Sequence, residues 1–415
     1  MGLLPETVQT HVRAQFPALT TPWALFDNAG GSVPLVGVID RIAGYMRHYG
    51  MQLGASYPLS VEAAALVAAG HRAAERLVNA RPGEVVLGAS TTTNLRMLAR
   101  ALRPLFVAGD EVVVTNLDHE SNIGPWRALA ADGIVIREWR MRLETHALHA
   151  EDLDLLLGPR TRLVCFTHCA NVVGTLHDAA GLVARVHAAG ALACVDGVAV
   201  APHRLVDVQA LGADFYSVSL YKLFGPHLAL LYGRHELLRR AHGQYHFFHG
   251  EDELPYKFEP GGVAHELAVS LPALLEYLLD VESRLHGAGT GDERARLARV
   301  FGAFQSHEAA LTAPLTEFLR GCSRVRILGE ATADPTDRLP TVAFTVQGRM
   351  ASAVSAEVER ARVAVRHGHF YAHRAIEALG LLGSGGVVRV SMAHYNTPAE
   401  VQRLIEALTP ACGDG

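Results

Sequence analysis

The sequence predicts an α/β protein: a large domain built on a mainly parallel sheet covered on both faces, then a smaller α+β domain at the C-terminus. Three observations predict it. Short, almost continuously apolar runs alternate with helical patterns from about residue 65 to 235, as in sheets buried on both faces. After about residue 285 the pattern changes to a long helical stretch followed by short β-rich runs. A chain of 415 residues is too long for one simple core and suits two domains. The boundaries are set at 1–20 for an N-terminal segment packing on the small domain, 21–284 for the large domain and 285–415 for the small one.

Seven runs in the large domain read as strands: "EVVLG" (84–88), "EVVVTN" (111–116), "GIVIREW" (133–139), "RLVCFTH" (162–168), "ALACVD" (191–196), "DFYSVS" (214–219) and "LALLYG" (228–233). They predict a seven-stranded sheet. Helical patterns between them include "TTTNLRMLARAL", "DAAGLVARVHAAG" and "HRLVDVQALG". In such sheets ligands gather at the carboxyl ends of strands, where Asp196, His168 and Lys222 fall. In the small domain, "GDERARLARVFGAFQSHEAALTAPLTEFLRG" reads as helix and "TVAFTVQG", "VAVRHG" and "VVRVSMAHYN" as strands. A last helix starts at "TPAEVQRLIEAL", with Thr397 as N-cap and Glu400 completing a capping box.

Composition narrows the class. Hydrophobic residues make up 49% and charged residues 19%, and the formal net charge is −5. No run of like charge offers a nucleic-acid footprint. No apolar stretch reaches transmembrane length, and "MGLLPETVQTHVRAQFP" has neither a signal-peptide apolar region nor a cleavage site. Five cysteines form no framework spacing, and Cys165 and Cys194 fall inside apolar strands. These features are those expected of a reduced, cytoplasmic enzyme without membrane or nucleic-acid partners.

The chemistry centres on "SVSLYKLFGPH", where Lys222 ends an apolar strand just before Gly225 and Pro226. Burying an ammonium favours its neutral form, and a neutral lysine is a nucleophile suited to Schiff-base formation. Asp196 ends another strand, in "ACVDG". A lysine that binds an aldehyde, opposite a carboxylate that meets a pyridine nitrogen, is the pair a pyridoxal phosphate enzyme needs. On these two residues alone, a turn-capping aspartate and a surface lysine are an equal reading. Ser90, Thr91 and Thr92 stand where a strand passes into a helix, and offer donors at a helix N-terminus to an anion such as phosphate. An ordinary N-cap reads the same way. His119, after the strand "EVVVTN", has a ring that suits the face of a flat cofactor.

Together "DNAGGS", "GDEVVVTNLDHESNIGPW", "THCANVVGT", "VDGVAVAPHRLVDVQALGADFYSVSLYKLFGPH" and "VRVSMAHYNTPAEVQRL" resemble the class V aminotransferase superfamily, and within it the cysteine-desulfurase-like branch. The likeness runs from about residue 20 to 408. It implies fold type I, pyridoxal 5'-phosphate as cofactor, an amino-acid substrate and a homodimer with active sites at the interface. By the same resemblance Lys222 would hold the cofactor, Asp196 would face the pyridine nitrogen and His119 would stack on the ring, these three being the catalytic set. Ser90, Thr91, Thr92, Ser219 and Tyr221 would bind the phosphate. Asn171 would lie near the cofactor oxygen, Asn28 at the mouth of the site, and Arg389 would clamp the substrate carboxylate with Arg366 nearby.

The sequence departs from that family in three places. Tyr371, in "VRHGHFYAH", stands where desulfurases of this branch carry a nucleophilic cysteine, and a phenol cannot take up sulfur as a persulfide. It would instead contact substrate. Ala199 replaces the usual Gln or His against the cofactor's phenolic oxygen. Gly262 stands where relatives present a hydroxyl to the phosphate across the dimer interface, so a backbone N–H would substitute. His367, His369 and His373 have no carboxylate or cysteine partner in their segment, and no metal is expected. Phe247, Phe248, Phe370 and Tyr371 suggest an aromatic substrate lining. The expected activity is lyase-type chemistry at Cα and Cβ of an amino acid, C–S or related elimination without persulfide transfer. Transamination and epimerisation of the isopenicillin N type are the alternatives, with a binding or regulatory role set against all three.

Overall fold

The computed structural model describes residues 2–287 and 291–412. Met1, 288–290 and 413–415, which belong to the expected N-terminal segment and small domain, lie outside the described residues. In chain order the strands are β1 (Ala24–Leu25), β2 (Val85–Gly88), β3 (Glu111–Thr115), β4 (Val135–Trp139), β5 (Thr161–Thr167), β6 (Leu192–Asp196), β7 (Phe215–Ser219), β8 (Ala229–Gly233), β9 (Val325–Leu328), β10 (Thr341–Val346), β11 (Val363–Ala364), β12 (Arg366–Gly368) and β13 (Val387–Ser391).

Seven of them form the large sheet, in the order β2-β8-β7-β6-β5-β3-β4. Only β8 runs antiparallel to its neighbours there. Alternation along the strands splits the side chains between two cores. Val113, Val164, Phe166, Val195, Tyr216 and Leu230 face one. Val112, Val114, Leu163, Cys165, Cys194, Phe215 and Leu231 face the other. That period of two, apolar on both sides, is why the strands read as continuous hydrophobic runs.

The helices follow the same logic. Thr91–Leu102 buries Leu95, Leu98, Ala99 and Leu102, a stripe one face wide. Pro398–Cys412 opens on a capping box: the Glu400 N–H donates to Thr397 Oγ1 at 3.2 Å, and the Thr397 N–H donates to the Glu400 carboxylate at 2.9 Å. With the helices Glu293–Gly321 and Ala351–Arg360, it covers a four-stranded antiparallel sheet of order β12-β13-β10-β9.

Three expectations need correcting. "HRLVDVQALG" is helical only over Val208–Leu211, because the Asp207 side chain caps there by accepting the Ala210 N–H. "VAVRHG" is two short strands, β11 pairing with β1 and β12 with β13. Ala24 and Leu25 belong with the small domain: β1 pairs with β11, and the Phe26 carbonyl accepts the Ser391 N–H at 2.7 Å. The large domain therefore begins a few residues later than 21. The N-terminal helix Glu6–Ala14 touches both domains, since Arg13 donates to the Tyr395 carbonyl at 2.8 Å while His11 pairs with Asp280 at 2.6 Å.

Candidate active site

The lysine turn is built by distant segments. After β7 the chain makes a tight turn, with the Gly225 N–H donating to the Leu220 carbonyl at 2.9 Å. A Cβ at Gly225 would stand 2.9 Å from that oxygen, so the turn needs glycine. Phe224 adopts a φ of 61°, costly for a bulky residue, and is held by Phe16, His394 and Tyr395 around its ring. Ser32, from the "DNAGGS" segment, accepts the Phe224 N–H on its hydroxyl at 2.8 Å and donates its own N–H to the Tyr221 carbonyl at 3.2 Å. This places the buried Lys222 in a cavity of about 70 Å³ at the carboxyl ends of β5, β6 and β7.

Ser90, Thr91, Thr92, His119, Asn171, Asp196, Ser219, Tyr221 and Lys222 all line that cavity. Burial pulls the Lys222 ammonium down to about 8, and the charge of Arg389 adds to the effect. Burial also raises the Asp196 carboxyl, against the opposing pull of the Val198 N–H, which donates to it at 2.9 Å, and of Lys222. His119 is held down to about 4 by burial and by the charges of Lys222 and Arg389. Its ring is therefore neutral at ordinary pH, and its Nδ1 accepts the Ser121 N–H at 3.1 Å. The chain contains only two lysines. The other, Lys257, spends its ammonium on the carbonyls of Arg239 and Ala241 at 2.9 and 3.0 Å.

Elsewhere in the lining Thr91 and Ser219 share a hydrogen bond of 2.8 Å, and Thr92 and Ser121 one of 2.6 Å. Ser90 is an N-cap as well, accepting the Thr93 N–H at 3.1 Å. Hydroxyls of Ser90, Thr91, Thr92, Ser121 and Ser219 thus surround the positive end of a 12-residue helix. That donor set fits a phosphate. Among the described residues Asn171 Oδ1 is buried without a partner, in the same cavity, and is open to a polar cofactor group.

Other expected residues lie outside the cavity lining. Asn28 is walled in: its Nδ2 donates to the Ser391 carbonyl at 2.9 Å, and its Oδ1 accepts from the Tyr395 hydroxyl. It braces the domain junction rather than the mouth of the site. Gly262 lies in a loop away from its own chain's cavity. Arg389 is buried behind Asn171, donating to the Asn171 carbonyl at 3.1 Å and to Asp27 at 2.8 Å, with its guanidinium 3.8 Å over the Phe370 ring. One branch of the expected carboxylate fork is therefore already on Asp27. Arg366 stands 3.6 Å from the other oxygen of Asp27 and is exposed. Phe247 and Phe248 are exposed on the outer surface and do not line the cavity. Tyr371 is exposed at the mouth, its ring 5.2 Å from that of His119. His369 accepts the Tyr371 N–H on Nδ1 at 3.1 Å. Among the described residues no group of three His, Cys, Asp or Glu side chains is arranged to hold a metal.

Sequence reasoning missed Asp27, Asp118, Ser121, Thr167 and Cys169. Thr167, Cys169 and Ser121 line the cavity. Asp118, directly before His119, is buried and accepts from the Thr115 hydroxyl at 2.5 Å, Asn122 at 2.6 Å and the Thr167 N–H at 3.1 Å. Its place beside His119 in "LDHESN" was a signal; the pairing of Asp27 with Arg389, 362 residues apart, left none.

A nucleophilic lysine, a carboxylate and a phosphate cup in one α/β cavity define a pyridoxal phosphate enzyme of fold type I. The class V aminotransferase family profile matches residues 24–288 and 297–404. The chain belongs to that family. It is 39% identical to an aminotransferase-like protein of Gibberella zeae over 96% of this chain and 97% of that one. It is 34% identical to a cysteine desulfurase-like protein of Aspergillus flavus, over 96% and 89% of the two chains. Among solved structures it superposes on a cysteine desulfurase of Escherichia coli with a TM-score of 0.82 and 25% identity, covering 99% of both.

Proposed function

We propose that this enzyme carries out lyase-type chemistry at Cα and Cβ of an amino acid, without passing sulfur to a protein thiol. The observation that carries this reading is the thiol inventory of the site. Tyr371 stands at the mouth, and Cys169, which does line the cavity, is pushed up to about 12 by burial. A thiol so far above neutral pH supplies almost no thiolate, the form that takes up sulfur.

Bound pyridoxal phosphate supplies an electron-withdrawing ring that weakens the bonds at the substrate Cα. Lys222 would hold the cofactor and then, with Nζ released, carry the Cα proton; an amine near 8 does both at neutral pH. Asp196 would face the ring nitrogen and stabilise positive charge there. The hydroxyls around Thr91 and Thr92 would hold the phosphate, and neutral His119 would lie against the ring. Arg389 would orient the substrate carboxylate through Nε, which has no partner among the described residues. Elimination then removes the Cα proton and expels the Cβ substituent with its electron pair, and hydrolysis yields ammonia and a keto acid.

Transamination uses the same residues, and the aminotransferase-like protein of Gibberella zeae keeps it as the second reading. Incubating holoenzyme with a panel of amino acids and identifying products by mass separates them. Ammonia with a keto acid supports the lyase reading. Aminated cofactor without ammonia replaces it by transamination, and inversion at Cα without either replaces it by epimerisation. We further propose a cytoplasmic homodimer. The exposed Phe247 and Phe248 support such an interface. The Gly262 N–H does not serve it as expected, being donated to the Glu259 carbonyl at 2.8 Å within its own loop.

A further inference from the structure

The turn at the mouth of the cavity is strained and tied down on every side. Phe370 and Tyr371, two consecutive aromatic residues, both take positive φ, 50° and 60°. Bulky side chains rarely adopt this region, and such backbone persists only where its surroundings impose it. Here the surroundings are explicit. The Phe370 carbonyl accepts from Asn171 Nδ2 at 2.9 Å, and the Phe370 ring lies under the Arg389 guanidinium at 3.8 Å. The Tyr371 carbonyl accepts the Glu120 N–H at 2.8 Å. The Glu120 carboxylate in turn receives Arg374, three residues after Tyr371, through two hydrogen bonds of 3.1 and 3.2 Å. The turn comes from the small domain, while Asn171 and Glu120 belong to the large one. Its effect is to stand the exposed Tyr371 ring 5.2 Å from that of His119, a residue of the cavity lining.

We propose that this pinned turn is the element that reads the substrate side chain, with Tyr371 making the contact and Glu120 and Arg374 acting as its positioning pair. The inference rests on the reading of the cavity as the pyridoxal phosphate site. It accounts for strain that packing alone does not require: an exposed residue gains nothing by holding a tyrosine in left-handed backbone, whereas a fixed phenol beside His119 gives a wall of constant shape. Arg389, the residue expected to hold the substrate carboxylate, stacks on Phe370 in the same turn. Both ends of an amino acid would thus be read by one rigid unit.

The test uses holoenzyme and the variants Glu120→Gln, Arg374→Gln, Tyr371→Asn and the charge swap Glu120→Arg with Arg374→Glu. Amino-acid binding across a side-chain panel is followed by the change in cofactor absorbance, and hydrogen exchange of residues 366–374 is followed with and without cofactor. Glu120→Gln is expected to weaken the preferred amino acid about two- to fivefold, in keeping with a half-exposed ion pair, and to level the ranking across the panel. It should also speed exchange in 366–374, while cofactor loading stays intact. The charge swap should restore the ranking. Tyr371→Asn should erase the ranking and leave the melting temperature unchanged or higher, because asparagine tolerates this backbone. Unchanged exchange in Glu120→Gln, or a ranking that survives Tyr371→Asn, overturns the proposal. Failure of wild-type protein to load cofactor would instead overturn the reading of the cavity, and the exchange measurement without cofactor would still decide whether the clamp exists.

Discussion

Lys222 and Asp196 face the same cavity with opposite charges, yet each is shifted against their mutual attraction. The lysine is lowered to about 8 and the aspartate raised, because burial outweighs the pair's own Coulomb energy at both ends. An exposed pair would show the reverse. The cavity therefore offers an amine ready to lose its proton and a carboxyl in need of a cation, and a protonated pyridine held by the lysine would answer both needs.

The first consequence is a pH profile. Only the neutral amine attacks an aldehyde, so capture of pyridoxal phosphate by the apoenzyme should accelerate about tenfold per pH unit below 8 and level off above it. Stopped-flow absorbance measures this. A rise continuing to the ordinary lysine value of 10.5 would show that burial does not tune Lys222.

The second concerns the phosphate cup. Thr91→Ala and Ser219→Ala should each weaken cofactor binding by about 1 kcal/mol, roughly fivefold. Because the two hydroxyls bond each other, the double variant should lose less than the sum. Equilibrium dialysis against the free cofactor reads both values.

The third concerns Asp118. Burial pushes its carboxyl up to about 7, well above the ordinary 3.8, with Asp196 adding to the rise. A carboxyl whose folded value is raised contributes stability that is complete below about 4 and is lost as pH climbs through 7. The advantage of the wild type over Asp118→Asn should thus shrink between pH 5 and 8, by at most about 1.4 kcal/mol per unit. Denaturant unfolding at several pH values tests the sign; an advantage that grows with pH contradicts it.

The fourth concerns Arg389. Its planar guanidinium stacks on Phe370 while bonding Asp27 and Asn171 at once, which an ammonium cannot do. Arg389→Lys should raise the amino-acid dissociation constant about tenfold or more, the loss of a charged hydrogen bond, and leave cofactor loading unchanged. Titration of the holoenzyme by absorbance separates the two effects.

How far the sequence was legible follows from the range of the interactions. The seven strands of the large sheet were readable because each is an apolar run whose two faces both enter a core, and their ends carry the residues of the site. Lys222, Asp196, His119 and the hydroxyls after β2 sit at or within four residues of strand ends, so local pattern places them. β1 was missed because two residues carry no periodicity and its partner, β11, lies over 300 residues away. The same holds for Asp27 with Arg389 and for Glu120 with Arg374: neighbours in space only, brought together by the docking of the small domain. Asn28 was misplaced for the converse reason. Its motif marks the site region, but its amide is consumed by Ser391 and Tyr395.

The most direct test of the whole account is to reduce the holoenzyme with borohydride, digest it and locate the cofactor by mass spectrometry. With two lysines in the chain and Lys257 bonded to two carbonyls, the adduct should fall on Lys222 alone, with none in Lys222→Ala. An adduct on Lys257, or no adduct in protein that still turns over its substrate, would contradict it.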